Sequence, residues 1–362
     1  MKYNFSRKFF AIVAFATLFF VQSCSDDPKP VIKVGEQGFF IVNEGGFGNG
    51  NTSISFYDRK ADAVTNNVFA TKNGRPLGDQ AQSMTVFEGK GYIVVQNSAK
   101  IEVIDPNDFS SLATISTELP SPRFFVGISP TKAYVSDWGA DGVTGTVKVL
   151  DLTTNSVTKT IATGKGSNRM LKVNNLVYVA NGGGFGKDNT IRVIDSNTDA
   201  ITATITTGDN PNGMVRDASG NIWVSSSGAL AFTPTFSIDE ANSTKGSISR
   251  ISPGNTETLR LNVADFTFST PSNLGISPDG NTLYYTYNGK AYSMPVTSTT
   301  LPTTPFKNES YYGLSVDPFN GNIIACKAPN FSSPGSIEVF TAAGTLVNTY
   351  TVGIGPNGCA FK

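Results

Sequence analysis

The side chains that most often carry out catalysis are scarce in this sequence. It contains no histidine and only three cysteines among its 362 residues. This excludes a Ser-His-Asp triad, a histidine-ligated zinc ion and imidazole acid–base chemistry. The carboxylates of Glu44, Asp137, Asp209 and Glu309 are available to a carbohydrate-acting or lactone-acting enzyme or to a lyase, but nothing in the sequence pairs them. We therefore expect no enzymatic activity, no catalytic residue, no metal site and no cofactor.

The charge pattern excludes a nucleic-acid partner as well. The 28 Lys and Arg residues balance the 28 Asp and Glu residues, and charged residues make up only 15% of the chain. Nucleic-acid binding needs clustered positive charge to displace counterions, and the sequence has no basic run.

Amide, aromatic and arginine side chains instead gather next to apolar, strand-like runs. Together they suit a large, partly flat, polar organic ligand that carries amide or phosphate groups. Each of these residue types can also have a purely structural role instead of binding a ligand. An Asn after a strand is often a turn residue, a loop aromatic can cap the end of a domain, and an arginine can pair with a nearby aspartate. The candidate ligand-binding residues are Asn43, Glu44, Phe47, Arg123, Phe124, Trp138, Asn168, Arg169, Phe185, Asn212, Asn273, Tyr311 and Tyr312.

The N-terminal segment has the pattern of an export signal. Three positive charges precede an apolar run that ends at Val21, and Val-Gln-Ser-Cys at residues 21–24 resembles a bacterial lipobox with Cys24 as the lipidated residue. A single transmembrane anchor is the alternative, but the run is short and residues 25–30 turn polar and proline-rich at once. We predict a signal peptide (1–23), a lipidated tether (24–37) that is the only membrane attachment, and a folded domain (38–362).

Seven copies of one apolar pattern recur along that domain. Each is a five-residue strand-like run, and the copies repeat at roughly 40–50 residues, the period typical of a β-propeller. The copies are residues 39–43, 92–96, 133–137, 177–181, 222–226, 283–287 and 322–326.

The clearest copy shows a four-strand unit. Strand-like runs at residues 170–173, 176–180, 190–195 and 201–205 are separated by turns. The inner runs are continuously apolar, as expected of strands buried on both faces, whereas the last alternates Ile and Thr like a half-exposed edge. The sequence therefore predicts an all-β, seven-bladed β-propeller with four antiparallel strands per blade.

The chain termini predict how the ring closes. The first run, residues 39–43, has no innermost strand before it, and residues 355–361 resemble residues 210–215, which open another blade. We expect the C-terminal strand to complete the first blade, with an open or sandwich arrangement as the alternative. Cys326 and Cys359 would then lie on inner strands of adjoining blades as buried free thiols.

These motifs carry a family resemblance. Val-Tyr-Val-Ala-Asn at 177–181 and Ile-Arg-Val-Ile-Asp at 191–195 resemble the blades of YVTN-type propellers. Phe-Phe-Ile-Val-Asn-Glu-Gly at 39–45, with the lipobox before it, is similar to a group of Bacteroidota surface lipoproteins that includes cobalamin-capturing propellers beside TonB-dependent transporters. The resemblance implies an outer-membrane, outward-facing protein, a corrinoid ligand and a transporter partner, although no cobalamin-contacting residue can be matched individually.

We therefore expect a cell-surface lipoprotein that captures a small-molecule nutrient on one propeller face and passes it to an outer-membrane transporter. A protein–protein or adhesion platform is the alternative, because propellers commonly serve as interaction surfaces. An enzyme that acts on carbohydrates or lactones is the third.

Overall fold

A computed structural model describes residue 1 and residues 37–362 of the chain. The predicted signal peptide, Cys24 and the tether up to residue 36 lie outside the described residues. From residue 37 onward the chain forms seven antiparallel sheets, which are the blades of a propeller. Within the described part of the chain, no helix has the length and apolar character needed to cross a membrane.

The first four blades follow the chain in order. The first blade holds β1 (Gly38–Asn43), β2 (Ser53–Asp58) and β3 (Ala63–Thr65), and the short helix α1 (Val68–Asn73) leads to the second. The second holds β4 (Ala81–Phe87), β5 (Lys90–Val95), β6 (Lys100–Ile104) and β7 (Ser111–Ile115). The third holds β8 (Pro122–Ser129), β9 (Lys132–Asp137), β10 (Thr144–Asp151) and β11 (Ser156–Lys165). The fourth holds β12 (Ser167–Val173), β13 (Leu176–Asn181), β14 (Thr190–Asp195) and β15 (Ala200–Thr206).

The remaining strands form three further blades and complete the first. The fifth blade holds β16 (Pro211–Arg216), β17 (Ile222–Ser226), β18 (Ser247–Ile251) and β19 (Glu257–Asn262). The sixth holds β20 (Ser272–Ile276), β21 (Thr282–Tyr287) and β22 (Lys290–Pro295). The seventh holds β23 (Gly313–Val316), β24 (Ile323–Lys327), β25 (Pro334–Phe340) and β26 (Leu346–Ile354). The last strand, β27 (Pro356–Phe361), pairs with β1 in the first blade.

The seven-bladed propeller predicted from the sequence is confirmed, with one local difference. Six sheets have four strands, whereas the sixth has three. In place of a fourth strand, the chain after β22 makes only an isolated bridge between Ala291 and Lys307. Pro302 and Pro305 in this segment lack an N–H group and fix their own backbone, so they cannot support a regular ladder.

The apolar core is divided into layers between neighbouring blades. The second strand of each blade is buried almost throughout, as in β1, where all six residues are buried. Each of seven apolar clusters in the described residues combines side chains of two adjoining blades; Tyr92 and Val94, for example, pack with Phe125 and Val135. A blade is therefore stabilised on both of its faces, as its uninterrupted apolar strands require.

The C-terminal strand closes the ring as predicted. β27 pairs antiparallel with β1, with Phe361 opposite Phe39 and Cys359 opposite Ile41. On the face of this sheet that meets the seventh blade, Phe39 and Ile41 pack against Ile324 in the cluster that joins the last blade to the first. Cys326 and Cys359 also belong to this cluster, and both are free, as the sequence predicts; Cys326 is buried as expected, whereas Cys359 is only partly buried.

Ring closure gives a direct test of the fold. Deletion of residues 355–362 removes the innermost strand of the first blade and exposes the edge of β1, so we expect aggregation or loss of cooperative thermal unfolding. Circular dichroism melting and size-exclusion chromatography measure both effects, and deletion of Lys362 alone serves as the control. A soluble truncation that melts within about 2 °C of the intact domain would contradict closure by β27.

Candidate functional site

An axial cavity of ≈ 460 Å³ opens among the innermost strands of the propeller. Every blade places one residue in its wall at an equivalent position, the second residue of the innermost strand or, in the seventh blade, the residue just before it. This axial ring consists of Asn357, Gln82, Arg123, Asn168, Asn212, Asn273 and Tyr312, in blade order.

Backbone irregularities place most of the axial ring. The pairing register shifts in six of the seven innermost strands at this point; opposite β5, for example, it passes from Ala81 to Ser83 and skips Gln82. A β-bulge leaves the extra residue out of the ladder and redirects its side chain. The bulges therefore account for the repeated projection of polar side chains into the axial cavity.

Three amides of the axial ring connect neighbouring blades. Asn212 Nδ2 donates to the carbonyl oxygen of Pro271 at 2.8 Å, and Asn273 Nδ2 donates to that of Tyr312 at 3.2 Å. Asn357 Nδ2 donates in the same way to Ala81 at 3.2 Å. Each bond runs from one blade to the next, so these asparagines have a structural role at the wall of the cavity.

Arg169 is the least compensated charge of the cavity. Its guanidinium carbon lies 4.1 Å from the centre of the Phe124 ring, a cation–π contact. Within the described residues, no carboxylate pairs with it and no acceptor takes a hydrogen bond from it. Its side chain is accessible from the cavity, but the surrounding blades limit its hydration, and this burial lowers its pKa to about 10. Arg169 therefore remains charged at neutral pH.

Arg123 is held more firmly beside it. Its guanidinium carbon lies 3.9 Å from the centre of the Trp138 ring, and Nη1 donates to the side-chain oxygen of Gln96. Burial lowers the pKa of Arg123 to about 10, and the charge of Arg169 acts in the same direction against that of Glu44. Neither arginine forms a salt bridge with an aspartate in the described part of the chain, which disfavours the alternative of local ion pairing.

Glu44 is the single carboxylate among the lining residues, and its oxygens are occupied. The hydroxyl of Tyr312 donates to Oε2 at 2.6 Å, and Asn357 Nδ2 donates to Oε1 at 2.8 Å. Burial, together with the charge of Glu44, raises the pKa of Tyr312 far above its ordinary value, so this phenol stays protonated. With two arginines and one glutamate, the lining carries a net charge of +1 and favours a negatively charged group.

Three polar atoms near the arginines are buried without a partner among the described residues. They are Arg123 Nε, Asn168 Oδ1 and Trp138 Nε1. An unsatisfied buried polar atom costs about 1–3 kcal/mol, so its retention calls for an explanation. Arg123 and Asn168 belong to the innermost strands of the third and fourth blades, and the Trp138 ring packs against Arg123. The three unpaired atoms are therefore grouped on the side of the cavity that carries the arginines.

The structure brings eight of the thirteen candidate residues into the axial cavity. They are Glu44, Arg123, Phe124, Asn168, Arg169, Asn212, Asn273 and Tyr312. Asn43 is instead fully buried and donates to Ser55 Oγ at 3.0 Å, and Tyr311 points between the last two blades, where its hydroxyl donates to Glu338. Trp138 does not line the cavity, but its ring packs against the guanidinium of Arg123, which does.

Phe47 and Phe185 lie outside the cavity on the same propeller face. They are 75% and 83% exposed, and Phe236 and Phe268, on other loops of this face, are exposed to a similar extent. These four residues, which we call the aromatic crown, stand on strand-connecting loops rather than in the core. The ring of Phe185 meets that of Trp138 edge to face at 5.9 Å between centroids. Large apolar side chains exposed together on one face are typical of an interaction surface.

Several lining residues were not among the thirteen candidates chosen from the sequence, among them Gln82, Asn357 and Cys359. Gln82 occupies the axial-ring position of the second blade, and Cys359 lines the cavity from β27. Alignment of the seven strand entries would have identified Gln82. Burial raises the pKa of the Cys359 thiol well above its usual value, and Cys326 beside it acts in the same direction, so Cys359 is not a reactive thiolate.

No metal site is found in the described chain, where no three Cys, Asp or Glu side chains are grouped closely enough to hold an ion.

Because the charge of Arg169 has no partner, we predict that its removal stabilises the unliganded protein, although it should weaken ligand binding. Arg169→Met keeps the packing on Phe124 and removes a charge that has no partner, so we expect the free energy of unfolding of the unliganded protein to rise, by no more than about 0.5 kcal/mol because the side chain is open to the cavity. Thermal and denaturant unfolding measure this change. Lys172→Met, at an exposed position of the same strand that does not line the cavity, should change stability little. A destabilised Arg169→Met would contradict the prediction.

Solved structures of other proteins share this architecture. A chain titled Kuenenia stuttgartiensis hydrazine synthase matches with a TM-score of 0.63 and 14% identity, over 80% of this chain and 89% of that one. A quinonprotein alcohol dehydrogenase-like protein from Bacteroides thetaiotaomicron matches with a TM-score of 0.66 and 16% identity, over 91% and 79%. The computationally designed Ika8 protein matches with a TM-score of 0.55 and 11% identity, over 90% and 91%. At these identities the likeness concerns the fold alone.

Sequence comparison gives the family. No curated protein matches the chain. A family model described as "Domain of unknown function (DUF5074)" matches residues 37–354, which is nearly the whole propeller up to the closing strand. The chain therefore belongs to the DUF5074 family.

Proposed function

We propose that this protein is a binding protein of the outer cell surface, which captures a small polar organic molecule in the axial cavity and passes it to an outer-membrane transporter. The ligand carries an anionic group, a carboxylate or phosphate, that meets Arg169. Lipidation of Cys24, expected from the lipobox, would tether the propeller to the outer membrane.

The observation that carries this proposal is the arginine pair. Arg169 has no acceptor among the described residues, and Nε of Arg123 has none either. Guanidinium groups bind carboxylates and phosphates with two parallel hydrogen bonds, and they do so more strongly where water is limited. A ligand anion would therefore accept the hydrogen bonds for which the fold provides no acceptor in this part of the cavity.

The cavity volume limits how such a ligand fits. At ≈ 460 Å³ it lies in the lower part of the ~300–1,000 Å³ range of small-molecule sites. A corrinoid, the ligand implied by the family resemblance, is larger than a drug-sized molecule. It would rest on the propeller face with only an amide or phosphate arm in the cavity.

Binding without catalysis is the reading that the lining residues support. The carboxylate of Glu44 already accepts hydrogen bonds from Tyr312 and Asn357, and the Cys359 thiol stays protonated. Neither group is placed to act as a base or a nucleophile.

Calorimetry tests the cavity as the ligand site. We titrate cobalamin, cobinamide and inorganic phosphate into the wild type, Arg169→Met and Asn168→Ala, with Thr202→Ala on the outer strand β15 as the control. We expect Arg169→Met to weaken binding by at least tenfold, because truncation of a central anchor typically costs about 2–4 kcal/mol. Equal affinities in all folded variants would exclude the cavity. Binding of phosphate without either corrinoid would retain the anion site and remove the corrinoid.

A docking role for the same face is the second candidate function, and the aromatic crown favours it. Burial of an exposed phenylalanine contributes about 1.5–3 kcal/mol, so several such rings on one face could stabilise a protein complex. A partner seated on the crown would also cover the axial cavity, which fits delivery of a captured ligand to a transporter.

Crosslinking in the native cells tests this docking. Mass spectrometry should detect crosslinks between the propeller and a TonB-dependent transporter, and the double variant Phe47→Ser/Phe185→Ser should lose most of them because two apolar anchors are gone. Leu346→Ser, which removes a half-exposed apolar side chain from β26, is the control. Unchanged crosslinking in the double variant would remove the crown from the interface.

A further inference from the structure

A second cleft, of ≈ 470 Å³, lies between the fourth and fifth blades. None of its lining residues lines the axial cavity. Its walls come from the residue before β14, from the end of β15 and the segment after it, from the ends of β18 and β19, and from the loops before β18 and after β19. Its polar lining includes Asn189, Thr206, Asp209, Lys245, Arg260 and Asn262.

The charged groups of this interblade cleft are largely paired already. Asp209 Oδ2 accepts from Lys187 Nζ at 2.8 Å and from Thr244 Oγ1, and the Asp209 side chain is only 9% exposed. Arg260 donates to Glu257 twice, at 3.0 and 2.6 Å. Lys245, the remaining charge of the lining, has no carboxylate partner, but its ammonium donates to the carbonyl oxygen of Ala264. Unlike Arg169, all three charged groups therefore have a hydrogen-bond partner within the fold, so binding in the cleft does not require a charged ligand.

Each pair nevertheless leaves hydrogen-bonding capacity unused. Among the described residues, no donor reaches Asp209 Oδ1 and no acceptor reaches Arg260 Nη1. The side chains of Asn189, Thr206 and Asn262 likewise make no hydrogen bond within residues 37–362. The cleft thus offers a carboxylate acceptor, a guanidinium donor, and amide and hydroxyl groups that can both donate and accept hydrogen bonds.

One aromatic ring lines this polar groove, and two more are carried by the loops that supply its lining. Phe266 lines it, with the ammonium of Lys245 5.0 Å from the ring centre. The two loops that supply Lys245 and Phe266 also carry Phe232 and Phe268, whose rings stack at 5.8 Å between centroids with planes 13° apart. This stacked pair is 46% and 77% exposed, so it presents a flat apolar platform to solvent.

We propose that the interblade cleft binds a neutral saccharide. A sugar hydroxyl both donates and accepts, so recognition needs donors and acceptors side by side, as Asp209, Arg260 and the amides provide. A pyranose ring also has an apolar C–H face that packs on aromatic rings, here those of Phe266 and of the stacked pair. The volume lies within the range of small-molecule sites and suits a short saccharide or the end of a longer glycan. This inference does not depend on the function proposed for the axial cavity.

Saturation-transfer NMR on the purified protein tests the proposal. The probes are neutral sugars (glucose, galactose, mannose, fucose, N-acetylglucosamine, maltose and lactose), the polymers dextran and mannan, and glucuronate as a charged control. We expect at least one neutral probe to bind. Preference for a monosaccharide or disaccharide indicates a free sugar as the source, whereas preference for a polymer indicates a surface glycan.

Variants assign the binding to the cleft. Asp209→Asn should weaken the binding of that probe at least tenfold, and Glu118→Gln, which changes an exposed carboxylate elsewhere, should not. Phe268→Ala, at an exposed ring that folding does not require, should weaken binding at least threefold. Arg169→Met should leave it unchanged, which separates this site from the axial cavity.

Three outcomes would overturn the proposal. They are the absence of binding by every neutral probe, binding of glucuronate alone, and unchanged affinity in both Asp209→Asn and Phe268→Ala with thermal unfolding showing intact folds.

Discussion

The whole structure depends on the need to cover two apolar faces of every sheet. The second strands, such as β1, are apolar on both sides, so a blade can be stable only between two others. A row of such sheets would leave one apolar face bare at each end, and a closed ring removes both ends. Pairing of β27 with β1 joins the first and last strands of the propeller in one sheet and makes this closure part of the hydrogen-bonded backbone.

Closure also decides where a ligand can be bound. Seven innermost strands converge on one axis, and in six of them an irregularity in the pairing frees the residue that faces it. The positions are equivalent, but their chemistry differs. Asn212, Asn273 and Asn357 hold neighbouring blades together, whereas Arg123 brings a positive charge, and Arg169, next to the ring residue Asn168, adds a second; neither forms a salt bridge among the described residues. Equivalent positions thus have a structural role on one side of the axis, where they connect blades, and offer groups for ligand binding on the other.

The fold could be predicted from the sequence because its signals are local and repeated. Seven apolar runs with a regular period, and a C-terminal segment that resembles the start of another blade, determine the number of blades and the closure. The three-stranded sixth blade was missed, although Pro302 and Pro305 in the sequence already argue against a fourth strand there.

The candidate site was predictable only in part, because bulges break the alternation of side chains along a strand. Tyr311 and Tyr312 could not be distinguished in the sequence, yet one lies between blades and the other lines the cavity. Gln82 was not predicted because Ala81-Gln82-Ser83 lacks the Pro-Asn-Gly pattern with which β16 and β27 begin, and no asparagine or arginine stands at the second position.

The bulged entries have a consequence for divergence within the family. A residue outside the ladder can be replaced without disturbing strand pairing, so selection can alter Gln82, Arg123 or Asn168 one at a time. The three asparagines that bridge blades are less free to change, since each substitution would also remove a bond between blades. Relatives with one architecture could therefore acquire different ligands through changes on a single arc of the ring, while the opposite arc preserves the assembly.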